Sequence, residues 1–190
     1  MNLFVLDKDP IKAAQLQCDK HVVKMIVESG QMLSTAHRML DGLQTRRKSK
    51  SGKTMSKYWE LPDSREEVLY KAVHMGHPCT VWTMANDNNY RWHFDHFSAL
   101  CHEYTYRYGK VHATQTKLKT HLMKVPNNIK EGYKYMLSPF ALAMKAEPQC
   151  INEGDPVKSY QMYYQTKQDR FKMAWTKRDI PEWFKVKEAA

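Results

Sequence analysis

Four side chains in one short stretch carry the clearest chemical signal: Asp19, His21, Lys24 and Glu28 of CDKHVVKMIVESGQMLSTAHRM. Glu28 follows Lys24 by four residues and His21 by seven, so in a helix the three share one side. A carboxylate beside an ammonium and an imidazole can stabilise developing positive charge or move a proton. The plainer reading is a solvated ion pair on the helix margin, and both readings stand. His93 and His96, with Glu103 further along the same segment, form a second pattern that could serve a metal-dependent nuclease. Its third ligand would have to come from elsewhere, and isolated histidines on a polar helix face are more often solvated. Ser51-Gly52-Lys53-Thr54 ends like a phosphate-binding loop, but Arg47 stands where the first glycine belongs, which excludes that motif. Neither a Ser–His–Asp order nor an H-E-x-x-H helix is present.

The reactive stretch needs a helix, and its pattern supplies one. Val22, Ile26, Ser29, Leu33, Ala36 and Leu40 mark a core stripe, with His21, Met25, Glu28, Met32 and Thr35 beside it. Asp19 is the expected cap, and Asp41-Gly42 the stop, with the glycine free to turn left-handed. Ahead of it, residues 2–6 read as a short strand or extended lead-in. Pro10 opens a helix through Lys12–Gln17, with Asp9 as its cap. Residues 41–57, carrying Arg46, Arg47, Lys48, Lys50, Lys53 and Lys57, read as a mobile basic loop. A helix is expected over Ser64–His74, another from Pro78, and a long one from Asp87 to Gly109. That long helix shows a core stripe of Tyr90, Phe94, Phe97, Cys101, Tyr104 and Tyr108. Asn89, His93, His96, Glu103 and Arg107 form its polar flank. Thr114–Met123 reads as a short basic helix, residues 129–155 as irregular, and Pro156–Gln168 as a helix. The tail (170–190) interleaves Phe171, Trp175, Trp183 and Phe184 with Arg170, Lys172, Lys177, Arg178 and Lys185. Such alternation suits stacking on bases and contacts to phosphate. Phe171 and Trp175, four apart, fit a last helix packed on the core, a reading less apt for Trp183. The whole reads as an all-α single domain over residues 1–190, with long irregular connections and one basic loop.

Lys plus Arg outnumber Asp plus Glu by 30 to 20, a net charge of +10, which points to a polyanionic partner. No apolar run reaches the roughly 18 residues of a spanning helix. The opening MNLFVLDKDP is not patterned as a signal peptide. A cytoplasmic protein without membrane contact is therefore expected. Cys18, Cys79, Cys101 and Cys150 form no C-x-x-C pair and read as free thiols. No cofactor or resident metal is expected, and oligomeric state is not legible.

The early helix resembles that of the phage pyrimidine-dimer DNA glycosylase family known as endonuclease V. The resemblance rests on Asp19-Lys20-His21 followed by Glu28, over roughly a dozen residues. The aromatic, basic end of the chain (Trp183, Phe184, Lys185) is similar in character. HPCTVW, NNYRW and EYTYRYGKVH also look like stretches of uncharacterised phage-encoded proteins. The resemblance implies a small, basic, helical enzyme whose own α-amine attacks C1′ of a damaged nucleotide. α-Amines as a class titrate near roughly 7.7–8.0, so part of the population is nucleophilic at neutral pH. Glu28 then holds charge on the sugar cation and moves protons. His21 contacts phosphate or orients Glu28, and Lys24 pairs with DNA or lowers the amine's proton affinity. The family exposes a small residue after its initiator methionine is removed. Here position 2 is Asn2, behind which Met1 is normally retained, so the nucleophile is Met1's amine, a lysine such as Lys24, or absent. In the last case Glu28 activates water. The expectation is a DNA glycosylase on duplex DNA, with or without abasic-site lyase activity. Trp82, Tyr90 and Trp92 would line a pocket for an extruded base, and Asn89 and Glu103 would read its edge. Arg46, Arg47, Lys48, Lys50, Lys53, Arg107, Lys177, Arg178 and Trp183 would grip the strands. A non-enzymatic nucleic-acid-binding protein is the first alternative, and the nuclease the second.

Overall fold

A computed structural model describes residues 1–49, 51–152 and 154–187. The chain begins as an irregular extended segment, and Leu3, Phe4, Val5 and Leu6 are all buried in the core. No strand forms there. Asp9 then caps α1 (Pro10–Gln15), accepting the backbone N–H groups of Ile11 and Lys12, as the sequence suggests.

α2 (Asp19–Asp41) is the central element, packing on three of the other helices and on the strands that follow it. Its cap position is Cys18, not Asp19. The Asp19 carboxylate is drawn instead to the Thr176 N–H and hydroxyl and to Arg107. Both apolar stripes of α2 face protein, so its Val22, Ile26, Leu33, Met25 and Met32 are all buried. Gly42 follows in extended rather than left-handed backbone, because the chain runs directly into a strand.

That strand corrects the all-α expectation. β1 (Leu43–Lys48) and β2 (Met55–Glu60) form an antiparallel hairpin in place of the expected loop, with Arg46 opposite Lys57 and Arg47 opposite Ser56. The fold is therefore mostly helical with one two-stranded sheet. The predicted helix over 64–74 shrinks to α3 (Arg65–Val68), and Ser64 makes no cap bond. Buried Arg38 explains the early stop: it takes the carbonyls of Glu66, Leu69 and Tyr70 as acceptors, so they are not available to continue a helical ladder. It also binds the Trp59 carbonyl and the Glu66 carboxylate, clamping the base of the hairpin.

α4 (Pro78–Met84) and α5 (Asp87–Tyr108) follow as the prolines and caps predict, and Gly109 ends α5 in the left-handed conformation at φ 66°. Of the predicted α5 stripe, Tyr90, Phe97 and Cys101 are buried and Phe94 and Tyr104 half-buried, whereas Tyr108, at the end of the helix, is exposed. The supposed polar flank, Asn89, His93, His96, Glu103 and Arg107, is buried as well, because α5 lies against both α1 and α2. α6 (Ala113–Leu122) approaches α2 so closely that a Cβ on Gly30 would stand 2.9 Å from Thr114 Cγ2. Residues 123–155 are largely irregular, with one 3-10 turn at Pro148–Cys150. α7 (Pro156–Gln165) continues into a 3-10 turn, Thr166–Asp169. No helix forms around Phe171 and Trp175. Residues 170–187 run over the core without helix or strand, with Trp175 and Phe184 buried against each other at 4.9 Å. Among the described residues no helix is long and apolar enough to cross a membrane.

Candidate active site

The first turns of α2, the buried N-terminal segment and the end of α7 converge on one cavity of about 270 Å³. Glu28 sits in its wall with its side chain 12 % exposed. Oε2 accepts the Asn2 backbone N–H at 3.1 Å and lies 3.8 Å from the Met1 α-amine; Oε1 lies 3.3 Å from Lys24 Nζ. Two consecutive backbone nitrogens therefore face a single carboxylate oxygen. Asn2 fixes this geometry through its side chain, which donates to the Ala143 carbonyl and accepts the Phe4 N–H. Phe4 has a φ of 46°, a conformation that typically costs a non-glycine residue about 1–3 kcal/mol. Stacking on His21 at 4.6 Å and edge contact with Tyr164 at 5.0 Å hold it there.

His21 does not orient Glu28. Its Nδ1 lies 2.7 Å from the Tyr164 hydroxyl, which also accepts the Cys18 N–H at 2.8 Å. The hydroxyl proton then goes to Nδ1, which assigns the ring proton to Nε2. Burial, with Lys24 and Lys167 nearby, pushes the His21 pKa down to about 3, so the ring is neutral at physiological pH. It is a hydrogen-bond donor in the cavity wall, not a cation.

The charged lining is unbalanced. The Met1 amine, Lys24, Lys167 and Arg170 face one carboxylate, Glu28. Lys167 is the most unusual of them: it is 4 % exposed and lies over the Tyr163 ring at 3.3 Å. Its one hydrogen bond among the described residues, to Thr166 Oγ1, is long at 3.5 Å. A cavity that collects an amine, a carboxylate and surplus cations suits an electrophilic carbon close to an anionic group.

Other residues singled out in the sequence lie elsewhere. Trp82, Asn89, Tyr90 and Trp92 are buried in the core with their polar atoms satisfied internally, so they have no face to offer an extruded base. Asn89 Nδ2 donates to the Trp82 carbonyl, the Tyr90 hydroxyl to Leu122 and Trp92 Nε1 to Lys8. Arg107 is equally committed, binding the carbonyls of Gln15 and Gln17 at the end of α1 together with Asp19 and Glu103. Arg178 pairs with Glu103, and Lys177 Nζ donates to the Tyr106 carbonyl; both dock the tail on α5. Trp183 is half-buried against Tyr164 and Phe184. The proposed metal donors are dispersed: His93 binds Thr83, His96 binds the Pro10 carbonyl and Gln17, and Glu103 is tied to its arginines. No group of three or more such donors converges among the described residues.

Arg46, Lys48, Lys53 and Lys57 are exposed on the hairpin and make no ion pair among the described residues, whereas Arg47 is anchored to Glu60, Glu66 and the Tyr58 ring. Lys50 lies outside the described residues. A larger and more apolar cavity, about 440 Å³ beside Pro10, Ile11, Ala99 and Tyr106, has Glu103 and Arg178 in its wall, already paired with each other. Sequence reasoning missed Lys167, Tyr163 and Tyr164, whose only signal was a run of tyrosines on a late helix. No protein-family model, no curated protein and no solved structure matches the chain.

Proposed function

We propose that the protein is a DNA glycosylase with abasic-site lyase activity on duplex DNA, as the resemblance of its early helix to the endonuclease V family implies. The observation that carries this reading is the Met1 α-amine 3.8 Å from Glu28 Oε2 in a cation-rich cavity. In the proposed reaction the neutral amine attacks C1′ of the target nucleotide. The C1′–N glycosidic bond breaks, and the base leaves with the bonding pair and takes up a proton. The amine nitrogen loses a proton as the sugar ring opens, giving an imine at C1′ and a hydroxyl at C4′. A base then removes the C2′ proton, the 3′ phosphate leaves, and water hydrolyses the imine to free the amine. Glu28 balances charge on the sugar cation and carries protons to and from these centres. Lys24, one turn away, pairs with the other carboxylate oxygen at 3.3 Å and leaves Oε2 turned to the amine. The same reading carries a cytoplasmic location, the host's if the chain is phage-encoded.

The test is borohydride trapping on duplex DNA with one abasic site, with wild type and Glu28→Gln side by side. Wild type should give a covalent adduct at the peptide bearing the α-amine, and intact mass identifies which residue carries it. Glu28→Gln should slow strand cleavage by roughly 100-fold or more. Absence of both adduct and cleavage in the wild type overturns the proposal.

One observation favours the alternative of a non-enzymatic nucleic-acid-binding protein. Arg46 and Lys57 stand directly opposite on the hairpin without counter-charges among the described residues, an arrangement suited to a polyanion. Salt-dependent DNA binding without any adduct would select that reading.

A further inference from the structure

Lys167 presents an unfilled coordination shell. An ammonium has three donors, and burying it without a carboxylate is costly. Here no carboxylate lies within ion-pair distance among the described residues, and the single hydrogen bond, at 3.5 Å, leaves at least two donors unspent. The Tyr163 ring covers one side of the ammonium. The cavity is the remaining side, and His21 lines it with an Nε2–H that has no partner among the described residues. Arg170 is exposed at the same cavity.

We infer that Lys167, His21 Nε2 and Arg170 form a phosphate subsite that takes one non-bridging pair of oxygens of a phosphodiester adjoining the nucleotide held at Glu28. The inference rests on the glycosylase reading for which phosphodiester is bound, but not for the anion site itself. Lys167 supplies the buried charge, the neutral imidazole supplies a directed donor, and Arg170 closes the pair from solvent. Tyr164 acts as a positioning residue, since its hydroxyl keeps the His21 proton on the cavity side. The division of labour is distinct from that at Glu28: this subsite grips the backbone and leaves the reacting carbon to the amine.

Two measurements test it. The first is binding of duplex DNA carrying a non-cleavable tetrahydrofuran abasic analogue, by wild type and Lys167→Met. Lys167→Met should weaken binding roughly tenfold or more and lower the slope of log affinity against log salt by about one. Replacing one flanking phosphate with a neutral methylphosphonate should erase the difference between the two proteins at that position and at no distant one. An equal penalty for Lys167→Met at every methylphosphonate position overturns the subsite. The second is titration of the protein with inorganic phosphate, followed by NMR of the histidine ring nitrogens. A shift of the His21 signals in wild type that is absent in Lys167→Met supports the anion site even if no DNA adduct ever forms. No shift, or the same shift in both proteins, sinks it. A melting temperature for Lys167→Met at or above that of wild type separates a binding role from a structural one.

Discussion

His21 is one of several histidines whose burial keeps them neutral. Its pKa falls to about 3, those of His37 and His96 to about 4, and that of fully buried His93 well below the ordinary value. In the unfolded chain each titrates near about 6.5, so between those limits the unfolded state binds more protons than the folded one. Stability is thus fully present above about pH 6.5 and is lost as pH falls toward the folded values, by about 1.4 kcal/mol per pH unit for each histidine. Urea midpoints at pH 7.5, 6 and 5 should fall steadily, before carboxylates such as Glu66, held down at about 2 by Tyr58, Leu61 and Arg38, begin to protonate. A profile flat from pH 7.5 to 5 would contradict the buried neutral rings. At this scale Glu28, His21 and Lys24 were legible because all three lie on one helix face. Lys167 was not, since nothing in a linear pattern brings residue 167 to residue 28.

The hairpin shows why elements were only partly readable. Residues 41–57 lack an apolar alternation, so no strand signal exists in them. The hairpin forms because its base is held from outside: Tyr58 and Trp59 are buried, the Tyr58 hydroxyl donates to Glu66 at 2.5 Å, and Arg38 clamps Trp59. The helices were legible where local caps decide them, as at Asp9, Pro78 and Gly109. They were misjudged where a distant side chain intervened, as Arg38 does beyond Val68. The like-charged cross-strand pair of Arg46 and Lys57 disfavours the hairpin, and under the proposed function a polyanion would relieve it. Lys57→Glu should therefore leave thermal stability equal or slightly raised while weakening duplex binding and flattening its salt dependence. Reduced stability with unchanged DNA affinity would assign the hairpin a purely structural role.

Across the whole molecule, the path of the chain matters more than the count of helices. The N-terminal segment is threaded through the core, so its first nitrogen arrives inside the cavity with its residues buried behind it. An extension ahead of Met1, such as an uncleaved affinity tag, should abolish borohydride trapping by converting the amine to an amide. The same tag after residue 190 should leave trapping unchanged, because Lys185, Val186 and Lys187 are exposed. Trapping that survives an N-terminal tag would shift the nucleophile to a lysine. The net charge of +10 predicted a polyanion partner. It could not distinguish Arg107, consumed in the core, from Arg46, exposed on a strand.

The pair of backbone nitrogens at Glu28 has a consequence for how the protein matures. Loss of Met1 to an aminopeptidase would turn the Asn2 nitrogen from an amide into a primary amine, already 3.1 Å from Oε2. Its side-chain bonds to Ala143 and Phe4 do not depend on Met1 and would keep it in place. The nucleophile would move by one residue while the carboxylate stayed still. Peptide mapping of the trapped adduct from hosts that differ in methionine removal should find either Met1 or Asn2 labelled, both in active protein. Under the proposed function, the site would thus tolerate a proteolytic event that would disable an enzyme relying on a single nitrogen.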